Sequence, residues 1–120
     1  MSEWVVSAAD DVVAALAEDF RHGPLLDDRG HRALEEAAVG DLNGMKIEIF
    51  AREHPPAHFR VRYQGKSADF EICTGKPMTP GLERWHRNIQ QWHAGNRQKL
   101  IDKWNASRPT DCPVGRVECK

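Results

Sequence analysis

The stretch His58-Phe59-Arg60-Val61-Arg62-Tyr63 sets an imidazole and two guanidinium groups at every second position. Alternate side chains of a β-strand share one face, so the three groups would project together. An imidazole flanked by guanidinium groups can move a proton at a phosphodiester while the cations stabilise the charge that develops. His58, Arg60 and Arg62 are therefore the catalytic candidates. Asp69 and Glu71 should project from the same face of the next strand, and His54 sits in the loop before His58. The simpler account of the same residues is a solvated sheet face held by cross-strand Arg–Asp and Arg–Glu pairs, and charged strand faces are ordinary enough to favour it.

A second basic set lies further along: Arg84, Arg87, Arg97, Lys99 and Lys103, with His86 and His93. Together with His54, His58, Arg60, Arg62 and Lys66, the residues Arg84 and Arg87 would form a phosphate-contacting surface. These cations are spread around helical positions rather than gathered into one dense run, so a solvated helix face, or a surface covered by the acidic first segment, is the better account. Trp85, Trp92 and Trp104 follow the apolar period of the same segment, which marks them as core residues rather than platforms for bases. Trp4 fits no clear pattern.

Net charge is −1 overall, but residues 1–43 carry three arginines against ten acids, a net −7, while residues 44–110 carry twelve Lys or Arg against six acids, a net +6. Such asymmetry points to an acidic arm and a basic body. Cys73, Cys112 and Cys119 are odd in number and widely spaced. Cys112 with Cys119 is the one spacing open to a bridge or a shared metal, but no tight C-x-x-C pair exists, and ordinary thiols are the better reading. No P-loop, dinucleotide fingerprint, nucleophile elbow or H-E-x-x-H pattern occurs, so no cofactor and no metal are expected.

These side chains need elements to position them. Val12, Val13, Leu16 and Phe20 recur at helical spacing after a Ser7–Asp10 capping signature, and Gly23-Pro24 ends that helix. A second short helix is expected over residues 30–39, stopped by Gly40. From residue 45 the period becomes two: Met45, Ile47, Ile49 and Ala51 give one strand, Phe59, Val61 and Tyr63 a second, and Ala68, Phe70 and Ile72 a third. Pro55-Pro56 separates the first two, and Gln64-Gly65 supplies a tight hairpin between the others. Thr79-Pro80 should open a helix carrying Leu82, Trp85, Ile89 and Trp92, with a kink or break at Gly95-Asn96 before Leu100, Ile101 and Trp104.

The expected architecture is α+β: a three-stranded antiparallel meander packed against C-terminal helices, with a short helical N-terminal segment. The organisation is one domain of 120 residues, divided into an acidic helical segment (1–43), an α+β core (44–109) and an irregular tail (110–120). No apolar run approaches the roughly 20 residues of a membrane helix, and the N-terminus lacks a secretory pattern. The expectation is a cytoplasmic protein with no membrane partner.

The run Ile47-Glu48-Ile49-Phe50, the turn His54-Pro55-Pro56-Ala57-His58-Phe59-Arg60-Val61, the Gly65 hairpin, and the spacing of Trp92, Leu100 and Trp104 together resemble the small bacterial proteins catalogued as domain of unknown function 4160. The resemblance spans residues 44–109. It departs at Ala57, which intervenes between Pro56 and His58, and at Arg60, where relatives often carry a second histidine. It implies a small stand-alone protein encoded beside another, and a place among proposed toxin–antitoxin components. The reading taken from this is a non-catalytic interaction or regulatory protein with a small protein partner. The alternative is a small ribonuclease-like toxin or nucleic-acid-binding protein, its basic sheet face masked by the acidic arm. Self-association would use the sheet edge beside Pro55-Pro56.

Overall fold

The computed structural model describes residues 3–27, 29–32, 45–51, 57–107, 112, 116, 117 and 119. The second short helix expected over 30–39, apart from its first three residues, and the Pro55-Pro56 turn lie outside the described residues. The elements in chain order are β1 (Trp4–Ser7), α1 (Asp10–Arg21), β2 (Lys46–Ala51), β3 (His58–Tyr63), β4 (Lys66–Glu71), a 3₁₀ turn (Glu83–Trp85) and α2 (His86–Ser107). The sheet is antiparallel in the order β1-β2-β3-β4.

The expected three-stranded sheet thus gains a fourth strand. Trp4–Ser7 belongs to a segment whose composition reads as helical, but it pairs with β2, Val5 opposite Phe50 and Ser7 opposite Glu48. Four residues are too few to display a period of two, and the pairing with β2, distant in sequence, decides their conformation. The strand that flanks the Pro55-Pro56 loop is consequently internal, and the sheet edge expected there for self-association is already filled.

β2, β3 and β4 follow the alternation closely. Ile47, Ile49, Phe59, Val61, Tyr63, Ala68 and Phe70 form the inner face, each no more than 3% exposed. Full burial of side chains of this size contributes about 1.5–3 kcal/mol apiece. The β3–β4 hairpin closes through Gln64 at φ 51° and Gly65 at φ 75°, the two positive values of the turn that matches strand twist.

α1 starts without the expected capping box. Its N-cap is Ala9, with no side-chain bond to the first turn, while Asp10 and Asp11 sit where their charge opposes the helix dipole. Leu16 and Phe20 are fully buried, and Phe20 stacks on Trp85 at 4.2 Å while meeting Tyr63 edge-on at 5.1 Å. The acidic segment is therefore part of the core rather than a detachable cover.

The C-terminal helix begins later than Thr79-Pro80 suggests. Gly81 at φ 127° and Leu82 at φ 54° interrupt any helix there, and the Thr79 hydroxyl instead accepts a bond from the Asp69 N–H at 2.9 Å. Nor does α2 break at Gly95-Asn96: it runs unbroken for 22 residues. Leu100, Ile101 and Trp104 on one side, and His93 within the sequence lapse, bury enough surface to carry the helix through a poor helix former.

Cys73 and Cys119 form a disulfide across 46 residues, which corrects the expectation of ordinary thiols; Cys112 is free and buried. Sequence spacing hid this pair, because the 22 residues of α2 stand between its members. Val117 exchanges two hydrogen bonds with the Asn105 amide, at 2.8 and 3.2 Å, and is buried with Cys112 in the same core. A closed loop of that length lowers the entropy of the unfolded chain by an amount worth about 4 kcal/mol in the loop-closure account.

Two glycines should respond in opposite directions. A Cβ at Gly95 would meet nothing within 4 Å, so Gly95→Ala should raise unfolding stability by about 0.5–1 kcal/mol. At Gly81, with its positive φ, a Cβ would lie 2.4 Å from the Ser67 carbonyl oxygen, so Gly81→Ala should lower stability by more than about 1 kcal/mol. Urea denaturation of both variants checks the two signs; a Gly95→Ala variant less stable than the parent would contradict an unbroken helix with open space at Gly95.

Candidate functional site

The outer face of the sheet collects the candidate residues. Cross-strand register places Glu48, Arg60 and Asp69 in one row, Lys46, Arg62 and Ser67 in the next, and Phe50, His58 and Glu71 in a third. The common facing of His58, Arg60 and Arg62 expected from the period of two is what the register gives. Their surroundings differ sharply.

Arg60 is held on two sides. Its Nε donates to Asp69 Oδ1 at 2.7 Å and its Nη2 to Oδ2 at 3.4 Å, while Nη1 reaches Glu3 Oε1 at 3.2 Å. The guanidinium carbon lies 4.4 Å from the centroid of the Phe50 ring. Only 16% of the Arg60 side chain is exposed, and the bond to Asp69 raises its already high pKa. The planar fork fits this task, because it can bond a carboxylate twice and stack on a ring at once. Glu3 was not among the sequence candidates; it sits one residue before β1, and only the fourth strand brings it here.

Arg62 donates to Glu48 at 2.6 Å, with about half of its side chain open to solvent. His58 is buried to 8% exposure, with its ring 5.7 Å from that of Phe50. The sheet face therefore presents satisfied ion pairs around a covered imidazole. Cross-strand pairing, the simpler sequence account, is the arrangement found. His54 lies outside the described residues.

The helical basic set does not form one surface. His93 is buried, with Nε2 2.6 Å from the Ile72 carbonyl oxygen and its ring stacked 5.4 Å from Phe59. His86 Nε2 sits 2.7 Å from the Gly81 carbonyl oxygen. Arg97 donates to the Cys73 carbonyl at 3.1 Å, Arg84 lies over the Trp85 ring at 5.9 Å, and Lys66 and Arg87 are exposed. Sequence reasoning grouped these residues by type, but the helix distributes them around its circumference.

A buried polar cluster escaped the sequence reading. Asn88, fully buried in α2, donates to Asp19 Oδ2 at 2.9 Å and to the Gly23 carbonyl at 3.1 Å, and accepts from the Leu25 N–H at 2.8 Å. Arg32 adds a 2.6 Å bond to Asp19 Oδ1 and also reaches the Gly23 carbonyl. Trp92 Nε1 donates to the Val12 carbonyl at 3.0 Å. The Asn88 and Trp92 bonds fasten the N-terminal segment to α2, while Arg32 ties that segment to itself. Among the described residues, no group of three or more His, Cys, Asp or Glu side chains could hold a metal, and no helix is long and apolar enough to cross a membrane.

Two outcomes follow. Removing the enclosed cation should cost far more than removing the open one: about 2 kcal/mol for Arg60→Ala, between the exposed and the fully buried cases, against less than about 1 kcal/mol for Arg62→Ala. Equal losses in urea denaturation would refute the ranking. Burial, more than the opposing bond to Ile72 or the charge of Arg97, holds the His93 pKa below its ordinary 6.5. The unfolded chain then takes up a proton that the folded chain resists, so this contribution is complete above about pH 6.5 and declines as pH falls toward the lowered value. Unfolding free energy should drop between about pH 7.5 and 5.5, and less so in His93→Gln. An identical drop in that variant would assign the effect elsewhere.

A family model described as Domain of unknown function (DUF4160) matches residues 44–105, just over half of the chain. No curated protein and no solved structure matches significantly. The match begins beside β2 and ends within α2, so β1 and α1 lie outside it while completing its sheet and core. The chain belongs to the family of the domain of unknown function 4160.

Proposed function

We propose that this protein is a non-catalytic interaction or regulatory component of a toxin–antitoxin-like bacterial pair, acting on a small protein partner. One observation supports the reading above the rest. The groups that phosphodiester chemistry would require are engaged in holding the sheet: Arg60 between Asp69 and Glu3, Arg62 on Glu48, and His58 covered beside Phe50. A general acid or base must come within hydrogen-bond reach of a bound substrate, and an imidazole at 8% exposure is poorly placed for that.

The acidic arm has a different part in this reading from that of a removable mask. Residues 3–27 contribute β1, α1 and the Asn88 contacts, so deleting them would unfold the core instead of uncovering a site. Intact protein is the right material for any assay. Incubated with single-stranded RNA, the intact chain should leave it uncut, and it should co-purify with the product of the adjacent gene at low and high salt. Cleavage that disappears in a folded His58→Ala variant would overturn the proposal in favour of a ribonuclease, and absence of a complex at either salt would count against the partner.

A further inference from the structure

A sheet of four strands has two edges, and the chain treats them differently. Along β4, the segment Lys76–Thr79 closes the edge: the Glu71 N–H donates to the Lys76 carbonyl at 2.9 Å and the Met78 N–H to the Asp69 carbonyl at 2.8 Å. Thr79 takes the Asp69 N–H. Beyond it, Gly81 passes so close to Ser67 that only a glycine fits.

Along β1 no described residue does the same. The Ala8 N–H bonds to the Ile47 carbonyl at 2.9 Å, which fixes the ladder phase. In an antiparallel pair the bonding residues alternate, so Trp4 and Val6 turn their backbone groups to β2 while Val5 and Ser7 turn theirs outward. Both outward residues are exposed, Val5 by 41%, and no hydrogen bond reaches them from any described residue. Protective features of natural edges such as lysine, proline or a bulge are missing from Trp4-Val5-Val6-Ser7.

We propose that the outer edge of β1 is a docking edge for an extended, basic segment of a partner protein, which adds to the sheet as a fifth strand. The inference rests on the interaction reading and names its surface. An apolar partner residue would lie beside Val5, with backbone bonds to Val5 and Ser7 and pockets for alternate side chains. Charge selects the occupant. Glu3 precedes the strand, and exposed Asp10 and Asp11 follow it, so both ends are acidic. Glu3 is shared with Arg60, and Asp11 has only a 3.8 Å contact to exposed Lys99. Asp10 and Met45 also line an open groove of about 330 Å³ along α1, with Val13, Ala14, Ala17, Glu18 and Arg21. A second copy pairing antiparallel would bring each Glu3 end against the other copy's Asp10-Asp11 end, like against like. A segment with lysine or arginine at its flanks complements both ends. The edge comes from residues outside the family match, so it belongs to this chain's N-terminal addition.

Val5→Pro tests the edge with little collateral damage, because it removes an outward N–H and no bond to β2. Random peptides of about eight residues, displayed and selected on the immobilised full chain, are the probe. The expected winners alternate apolar residues with Lys or Arg, weaken in added salt, and lose at least about tenfold in affinity on Val5→Pro and on Val5→Lys, whose melting curves match the parent. No enrichment, enrichment undiminished on both variants, or winners without basic residues would each overturn the proposal. So would a dimer in sedimentation that Val5→Pro dissolves, which would give the edge to a second copy. An adjacent-gene product that binds Val5→Pro undiminished would remove the edge and keep the interaction reading, whereas RNA cleavage lost in His58→Ala removes the reading itself.

Discussion

A single guanidinium touches groups from, or next to, every strand of the sheet. Arg60 projects from β3, bonds Asp69 of β4, lies on Phe50 of β2 and reaches Glu3 at the start of β1. A charge at 16% side-chain exposure must keep its partners, since a partly desolvated cation without a carboxylate would be strongly unfavourable. The requirement fixes register as well as energy. Slipping β3 by one residue would send Arg60 into the aromatic core and bring Phe59 out to solvent, so the ion pairs on one face and the packing on the other demand the same alignment.

The opposite face shows the same economy of arrangement. Phe59 lies against Phe70, Trp92 and the His93 ring, and Tyr63 meets Phe20 and Trp85. These rings form two groups within one apolar core, and the polar atoms admitted to it are mostly spent on chain crossings. Trp92 bonds the backbone of α1, Asn88 bonds the loop after α1, and His93 bonds the turn after β4. The Tyr63 hydroxyl is an exception, buried with no hydrogen-bond partner among the described residues, and burial raises its pKa. Because α1 and β1 supply parts of both faces, the family-matched region and the N-terminal addition are built into one sheet and one core.

What the sequence revealed, it revealed through local periods. Alternation over six residues identified β2, β3 and β4 and the facing of His58, Arg60 and Arg62; Gln64-Gly65 announced its turn; Trp85, Trp92 and Trp104 marked the buried stripe. Each of these is decided within a few residues of itself. Features decided by distant parts of the chain stayed hidden. β1 is too short to show a period, and β2 makes it a strand. Thr79 caps β4 instead of a helix, because Asp69 is beside it in space. Gly95 costs α2 less than the packing of its neighbours returns, so the helix does not break there. Cys73 and Cys119 meet only in the fold, with all of α2 between them in sequence. A disulfide also fits poorly with the cytoplasm, whose thiol pools keep such pairs reduced.

The charge split between the two halves looks different once folded. The sequence suggested a basic body seeking acidic groups, but the sheet arginines are already neutralised: Arg60 by Asp69 and Glu3, Arg62 by Glu48. Arg32, one of three arginines in the acidic arm, is committed to Asp19. Pairing of this kind engages Arg32 of the arm and both sheet arginines. Asp10 and Asp11, in the first turn of α1 just after β1, stay exposed, with Asp11 3.8 Å from Lys99. Opposed charge governs how fast and in what orientation a partner arrives more than how tightly it stays. The folded molecule therefore sets exposed acid beside its one open sheet edge among the described residues, an arrangement that the linear charge count does not reveal.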